Sequence, residues 1–246
     1  MDIDSSLIYY YGAVNRSQTL QRYGDATPSS PGGVLADSVF VAPNASVIGN
    51  VSIQPGSSVW YGCVIRGDVN SVSIGKNTNV QDNVMVHVAK HNAAGIPRKT
   101  VIGDGVTIGH GATIHAATIE DSCVVGMGAV LMDGSVIEKE SIVAAGSLVV
   151  PGTVVKSREV WAGSPAKRVR TLSDAEVEAI VQAAADYAQL AVVHADENSK
   201  TFGEIELDAA RRWDKNTRDP DYDVQNQVDR DPQTREMLPV GYVARA

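Results

Sequence analysis

A chain of 246 residues has material for one substantial core with appended elements, and not for several independent domains. Its 21 Lys and Arg against 29 Asp and Glu give a net charge of -8, which argues against nucleic acid as a partner, since a phosphate backbone needs a basic stripe. With 2 Phe, 3 Trp and 2 Cys, no CxxC pattern and no apolar run of about 18 residues, the composition excludes a disulfide scaffold, a cysteine metal site and a transmembrane helix.

In chain order, Met1-Asp2-Ile3-Asp4 is too acidic for an ordinary secretory or mitochondrial leader. Leu7, Ile8, Tyr11 and Val14 then predict an amphipathic helix over residues 5–23, inside an N-terminal extension of residues 1–33. Such a helix can pack on an assembly, or touch a membrane surface or partner.

Over residues 34–170 the dominant signal is an apolar residue at every sixth position. One run is Val41, Val47, Ile53, Val59, Ile65; a second is Ile74, Val80, Val86. A third is Ile102, Ile108, Ile114, and after a slip of one residue come Ile119, Val125, Leu131, Ile137, Val143, Val149 and Val155. A period of six fits neither a 3.6-residue helix nor a hairpin meander. It fits an all-β, left-handed parallel β-helix of hexapeptide repeats, three short strands per coil, each sending one branched side chain inward. Gly often follows the inward residue, as in Ile74-Gly75, Ile102-Gly103, Ile108-Gly109 and Val125-Gly126. Two segments leave the period: Arg66-Gly67-Asp68, expected in a short insertion, and residues 87–99, expected to bulge out as a loop. Insertions in solenoids gather on the functional face.

Pro165 is expected to close the coil. Ser173-Asp174-Ala175-Glu176 has the form of a helix capping box. Val177, Ile180, Val181, Ala184, Ala188 and Ala191 follow at helical spacing, so an amphipathic helix is expected within residues 171–196, along the coils. Residues 197–246 read as a charged tail with one short helix near 204–214.

Three of the five histidines carry geometry. His87 and His115 each follow an inward residue and therefore point outward. They lie 28 residues apart; removing about ten for the loop leaves about eighteen, one full coil. Coils stack about 4.8 Å apart, so the two rings can share a ligand. His110 lies off that line and is better placed to meet a metal from a neighbouring copy. Three neutral imidazoles with an open fourth position form a hydrating or hydrolytic zinc site, although such sets also accept iron or cobalt. Gln81, one hexad before His87, is expected in the same outward column, with Asp82 beside it as a second orienting group. Arg66 and Asp68 are expected to form an ion pair on the same side.

The segments Val64-Ile65-Arg66-Gly67-Asp68, Val80-Gln81-Asp82-Asn83, Val86-His87-Val88, Ile108-Gly109-His110-Gly111-Ala112-Thr113-Ile114-His115 and Val125-Gly126-Met127-Gly128-Ala129 resemble the γ-class carbonic anhydrases. They are especially similar to the subunits of that class attached to mitochondrial respiratory complex I in plants and algae. Glu159-Val160-Trp161-Ala162-Gly163-Ser164-Pro165-Ala166, Tyr187-Ala188-Gln189-Leu190-Ala191 and residues 12–24 extend the likeness over nearly the whole chain. The resemblance implies a trimer with Zn2+ at each interface, His87 and His115 from one subunit and His110 from the next. It assigns Arg66, Asp68, Gln81 and Asp82 to interface and active-site positions and Tyr187 to the metal pocket. It also implies homologous subunits in a homo- or heterotrimer, carbon dioxide and bicarbonate as ligands, and a place on the matrix side of the inner membrane, on the membrane arm of complex I. Two positions depart from the pattern. No acidic loop with a proton-shuttling glutamate follows Asp68, where the residues are Val69-Asn70-Ser71, and Gln189 stands where an Asn is expected. His91 is then a candidate proton relay. Two functions follow: reversible hydration of carbon dioxide, or an architectural zinc subunit with little or no turnover. Acyl transfer, the other chemistry of hexapeptide coils, is the least favoured, because it uses one His as base.

Overall fold

A computed structural model describes residues 34–35, 38–91 and 98–217, with backbone only for 34–35 and 212–217. The expected N-terminal helix and the tail beyond residue 217 lie outside the described residues. The chain divides into two units, Met1–Ala195 and Asp196–Ala246.

The first unit is a parallel β-helix. Its short strands stack as three ladders. One runs from Val64–Ile74 through Met85–His87, Thr113–His115 and Val130–Leu131 to Leu148–Val149. A second starts from the far half of Val64–Ile74 and continues through Thr100–Ile102, Thr118–Ile119 and Val136–Ile137 to Val154–Val155. The third runs from Phe40–Val41 through Ser58–Val59, Asn79–Val80, Thr107–Ile108, Val124–Val125 and Ile142–Val143 to Glu159–Gly163. Partners such as Leu131 and Val149 lie three hexads apart, so each coil is one turn round a triangular interior.

From Ile53 onward, every inward residue of the six-residue register is at most 2% exposed. Each such branched side chain contributes about 1.5–3 kcal/mol by leaving water. Val41 and Val47 are only partly buried; they belong to the first coil. The slip between Ile114 and Ile119 is absorbed at one corner, where Ala116 takes a φ of +49° and its N–H donates to the His87 carbonyl at 3.1 Å.

The glycines after inward residues have a packing cause. A Cβ at Gly126 would lie 2.3 Å from the Ala145 backbone nitrogen of the next coil, and one at Gly109 2.7 Å from that of Met127. Those positions are where neighbouring backbones touch.

Arg66-Gly67-Asp68 is not a looped insertion. Ile48 and Gly49 pair with Arg66 and Gly67, and the register resumes with Val51 opposite Val72. The three extra residues fall between Gly67 and Val72, inside one continuous strand that turns a corner. The second expected insertion does leave the coil: Ala89 and Arg98 exchange backbone hydrogen bonds at 3.0 and 3.3 Å across its neck.

At Ser164-Pro165 the chain reverses, and Ala166–Thr171 returns antiparallel to Glu159–Gly163. Helix α1, Asp174–Ser199, follows. Ser173 and Glu176 close the expected capping box: the Ser173 N–H donates to Glu176 Oε2 at 3.0 Å and the Glu176 N–H to Ser173 Oγ at 3.4 Å. The Arg170 guanidinium beside Glu176 helps hold that carboxyl down at about 2. Ile180, Ala184 and Ala191 are buried and Tyr187 is partly buried against the core. Val181, expected on the buried face, is exposed, because one residue turns the helix about 100° away from the Ile180 stripe. In the second unit, helix α2 spans Phe202–Thr217. It starts two residues earlier than expected because Thr201 and Glu204 form another capping box.

Candidate metal centre

His87 ends one strand and His115 the strand stacked on it, and the two are direct ladder partners. With Val86 and Ile114 fully buried, both imidazoles turn outward. The Thr100 hydroxyl donates to the His87 carbonyl at 2.6 Å, so the chain rejoins the coil in register after the loop. His87 Nδ1 faces His115 Nε2 at 3.3 Å. The remaining nitrogens are each met by a carboxylate. His87 Nε2 lies 2.9 Å from Asp68 Oδ1, whose other oxygen is 2.8 Å from Arg66 Nε. His115 Nδ1 lies 2.6 Å from Asp133 Oδ1.

His110 sits at the corner after the Thr107–Ile108 strand, about half-exposed. Its Nδ1 lies 2.9 Å from Asp82 Oδ2, and Asp82 Oδ1 accepts from the Tyr61 N–H at 3.1 Å. Beside it is a pocket of about 230 Å³ lined by Trp60, Tyr61, Asp82, His110, Tyr187, Leu190 and His194. α1 supplies the last three. Tyr187 packs edge-on against Trp60 with ring centroids 5.6 Å apart. Burial, and then the Asp82 charge, raise its hydroxyl pKa above the usual phenol value.

Gln81 is buried, and its Nε2 donates to Asn79 Oδ1 at 3.2 Å. It does not share a column with His87. The strand before it pairs in the third ladder and the strand of His87 in the first, because one hexad is one side of the triangle and a column needs three. His91 is exposed at the start of the loop, and Gln189 is exposed on α1.

Sequence reasoning passed over Asp133, Tyr61 and the role of His194, whose Nδ1 is 2.9 Å from the Tyr61 hydroxyl. Asp133 had a signal: one coil from Ile114 reaches Leu131, which places the turn after Leu131 beside His115.

A tetrahedral zinc ion takes imidazole nitrogens at about 2.0–2.1 Å, which sets any two of them about 3.3 Å apart. The His87–His115 spacing matches that edge, and the carboxylates behind both rings are the outer partners metal-ligating histidines use. The pair therefore fits zinc as two of its donors. Among the described residues, no group of three or more His, Cys, Asp or Glu in one chain is arranged to hold a metal ion. His110 is not gathered with the pair.

Comparison with known proteins gives concordant results. A family model described as the C-terminal domain of mitochondrial gamma carbonic anhydrase 1 matches residues 177–239. The chain is 50% identical to mitochondrial gamma carbonic anhydrase 2 of Arabidopsis thaliana, over 92% of this chain and 80% of that one. It is 46% identical to mitochondrial gamma carbonic anhydrase 1 of the same plant, over 87% and 76%. Among solved structures, a hexapeptide transferase family protein from Anaplasma phagocytophilum superposes with a TM-score of 0.60 at 42% identity, covering 65% of this chain and 90% of that one.

Proposed function

Since the chain belongs to the gamma carbonic anhydrase family, we propose that it is a zinc subunit of a trimer of homologous chains that hydrates carbon dioxide reversibly to bicarbonate. The observation that carries this reading is the His87–His115 pair, facing at the edge length of a tetrahedral site with a carboxylate behind each ring. His110, kept outside that pair within the chain and oriented by Asp82, supplies the third nitrogen across a subunit boundary. Apolar surface beside the histidines supports association: Val64, Met85, Met132 and Val150 on the His87–His115 side, and Met127 one coil from His110, are all exposed. Each subunit would thus present one surface with two donors and another with one.

Zinc so bound supplies Lewis acidity that lowers the pKa of water to about 7. The chain's own residues do the remaining work. Asp68, Asp82 and Asp133 fix the three rings. Trp60, Tyr187 and Leu190 give the pocket beside His110 an apolar wall suited to an uncharged linear substrate. Arg66, ion-paired to the Asp68 that meets His87, places a guanidinium on the His87 side of the centre, where an anionic product gains a counter-charge.

The mitochondrial naming of the two plant relatives, together with the resemblance of residues 12–24, supports a mitochondrial setting, which we read as the matrix side of the inner membrane on the membrane arm of complex I. One observation favours a second reading, an architectural zinc subunit with little turnover. After Asp68 the corner carries Val69, Asn70 and Ser71, and the Asn70 amide is tied to the Ala89 carbonyl at 3.3 Å. That stretch has no ionisable side chain to carry a proton away.

Stopped-flow hydration by the zinc-loaded assembly separates the readings. A wild-type rate well above that of His110→Ala supports catalysis. Equal rates, with assembly of the respiratory complex rescued by His110→Ala, support the architectural role.

A further inference from the structure

Asp133 stands outside the sequence motifs, yet it makes the shortest contact to an imidazole nitrogen of the centre, 2.6 Å to His115 Nδ1. Its position is tightly held. It opens the two-residue turn Asp133-Gly134 after Leu131, where its carbonyl accepts from the Gly152 N–H at 3.0 Å and the next residue, Gly134, donates to the Ala116 carbonyl at 2.8 Å. Gly134 has a φ of +70°, and the space a side chain would take there is filled by the Arg98 guanidinium, 3.3 Å from the would-be Cβ. Arg98 comes from the neck of the loop that leaves the coil after His87, so both ends of that loop bear on the centre.

The chemistry follows from donors and acceptors. A neutral imidazole has one N–H and one lone pair, and a carboxylate can only accept. Asp68 therefore claims the hydrogen on His87 Nε2, and Asp133 the hydrogen on His115 Nδ1. Both facing nitrogens are then left as lone pairs 3.3 Å apart. Two lone pairs aimed at one another form no hydrogen bond, and they suit a cation between them.

We propose that Asp133 is a positioning residue that locks His115 in its Nδ1–H tautomer and so presents Nε2 to the metal, with Arg98 and Gly134 bracing the turn that carries it. The proposal rests on the metal-centre reading above. Loss of an outer partner of this kind weakens metal binding about 10–100-fold.

The test uses the full chain in its assembled form, with Asp133→Ala, Asp133→Asn, His115→Ala and, as control, Asp121→Asn, which removes a carboxylate that caps the Asp104 N–H instead. Long-range proton–nitrogen spectra of the metal-free protein are expected to show His115 protonated at Nδ1, shifting toward Nε2 in Asp133→Ala. Zinc competition against a chelator is expected to show a 10–100-fold loss for Asp133→Ala, a smaller one for Asp133→Asn, whose amide oxygen can still accept, and none for Asp121→Asn. An Nε2–H tautomer in the wild type, or wild-type zinc affinity in both Asp133 variants while His115→Ala loses zinc, overturns the proposal alone. Wild-type affinity in His115→Ala overturns the metal-centre reading beneath it. Should Asp133→Ala fail to fold, a native-melting Asp133→Asn decides the matter.

Discussion

At the scale of single residues, position within a coil decides what each polar or reactive group can do. Three aspartates, from three different turns or strands, each meet one histidine of the centre, with nitrogen–oxygen distances between 2.6 and 2.9 Å. The two cysteines illustrate the opposite case. Both are buried on the coil, where loss of water pushes the Cys63 thiol up to about 11 and the Cys123 thiol up to about 12. At pH 8 a thiol with a pKa of 11 is thiolate in only about one molecule per thousand, and the thiolate is the reactive form. Native protein at pH 8 is therefore expected to give no fast reaction with a disulfide reagent, and two equivalents after denaturation. A rapidly titrating thiol in the native state would contradict the burial described. The histidine pair was legible from spacing alone, because removing the loop leaves one coil between them. The signal for Asp133 is weaker, since the five-residue interval at Ile114–Ile119 makes the coil from Ile114 to Leu131 one residue short of three hexads.

At the scale of elements, two glycines two residues apart do different work. Gly126 has no room for a Cβ, because the next coil's backbone occupies that place, whereas Gly128 has open space but a φ of +65°. Asn77 and Asn83 hold the same left-handed conformation at earlier corners, and Asn tolerates it well. Gly126→Ala is thus expected to lose about 1–3 kcal/mol through overpacking, while Gly128→Asn changes stability by less than about 0.5 kcal/mol. Equilibrium denaturation of the two variants checks this; the reverse order would mean that coil contact does not set the glycine pattern. The six-residue period made the coil readable because one inward residue per side is a strict packing demand. Gln81 was misplaced by treating one hexad as a column, and Val181 by counting apolar residues without their angular position. Helix α1 was legible at its start, where Ser173 and Glu176 announce a cap. Its end was less so, because no glycine or proline follows until Gly203.

At the scale of the whole molecule, the fold divides the site. The ladder that stacks His87 on His115 delivers two nitrogens at a fixed spacing, and His110 is carried to another corner with its own carboxylate. A single chain thus presents two facing imidazole nitrogens on one surface and a third histidine on another, both next to exposed apolar side chains. Charge and composition argue against a nucleic-acid partner but could not reveal this division; it emerged from the count that set His110 off the His87–His115 line. The central claim is that His87 and His115 of one subunit share a zinc ion with His110 of the next. Anomalous diffraction at the zinc edge from crystals of the native assembly tests it most directly. The expected result is a peak within about 2.0–2.1 Å of His87 Nδ1, His115 Nε2 and an imidazole nitrogen of a neighbouring subunit's His110. A peak held without His110, or no zinc between the facing pair in zinc-replete protein, would contradict it.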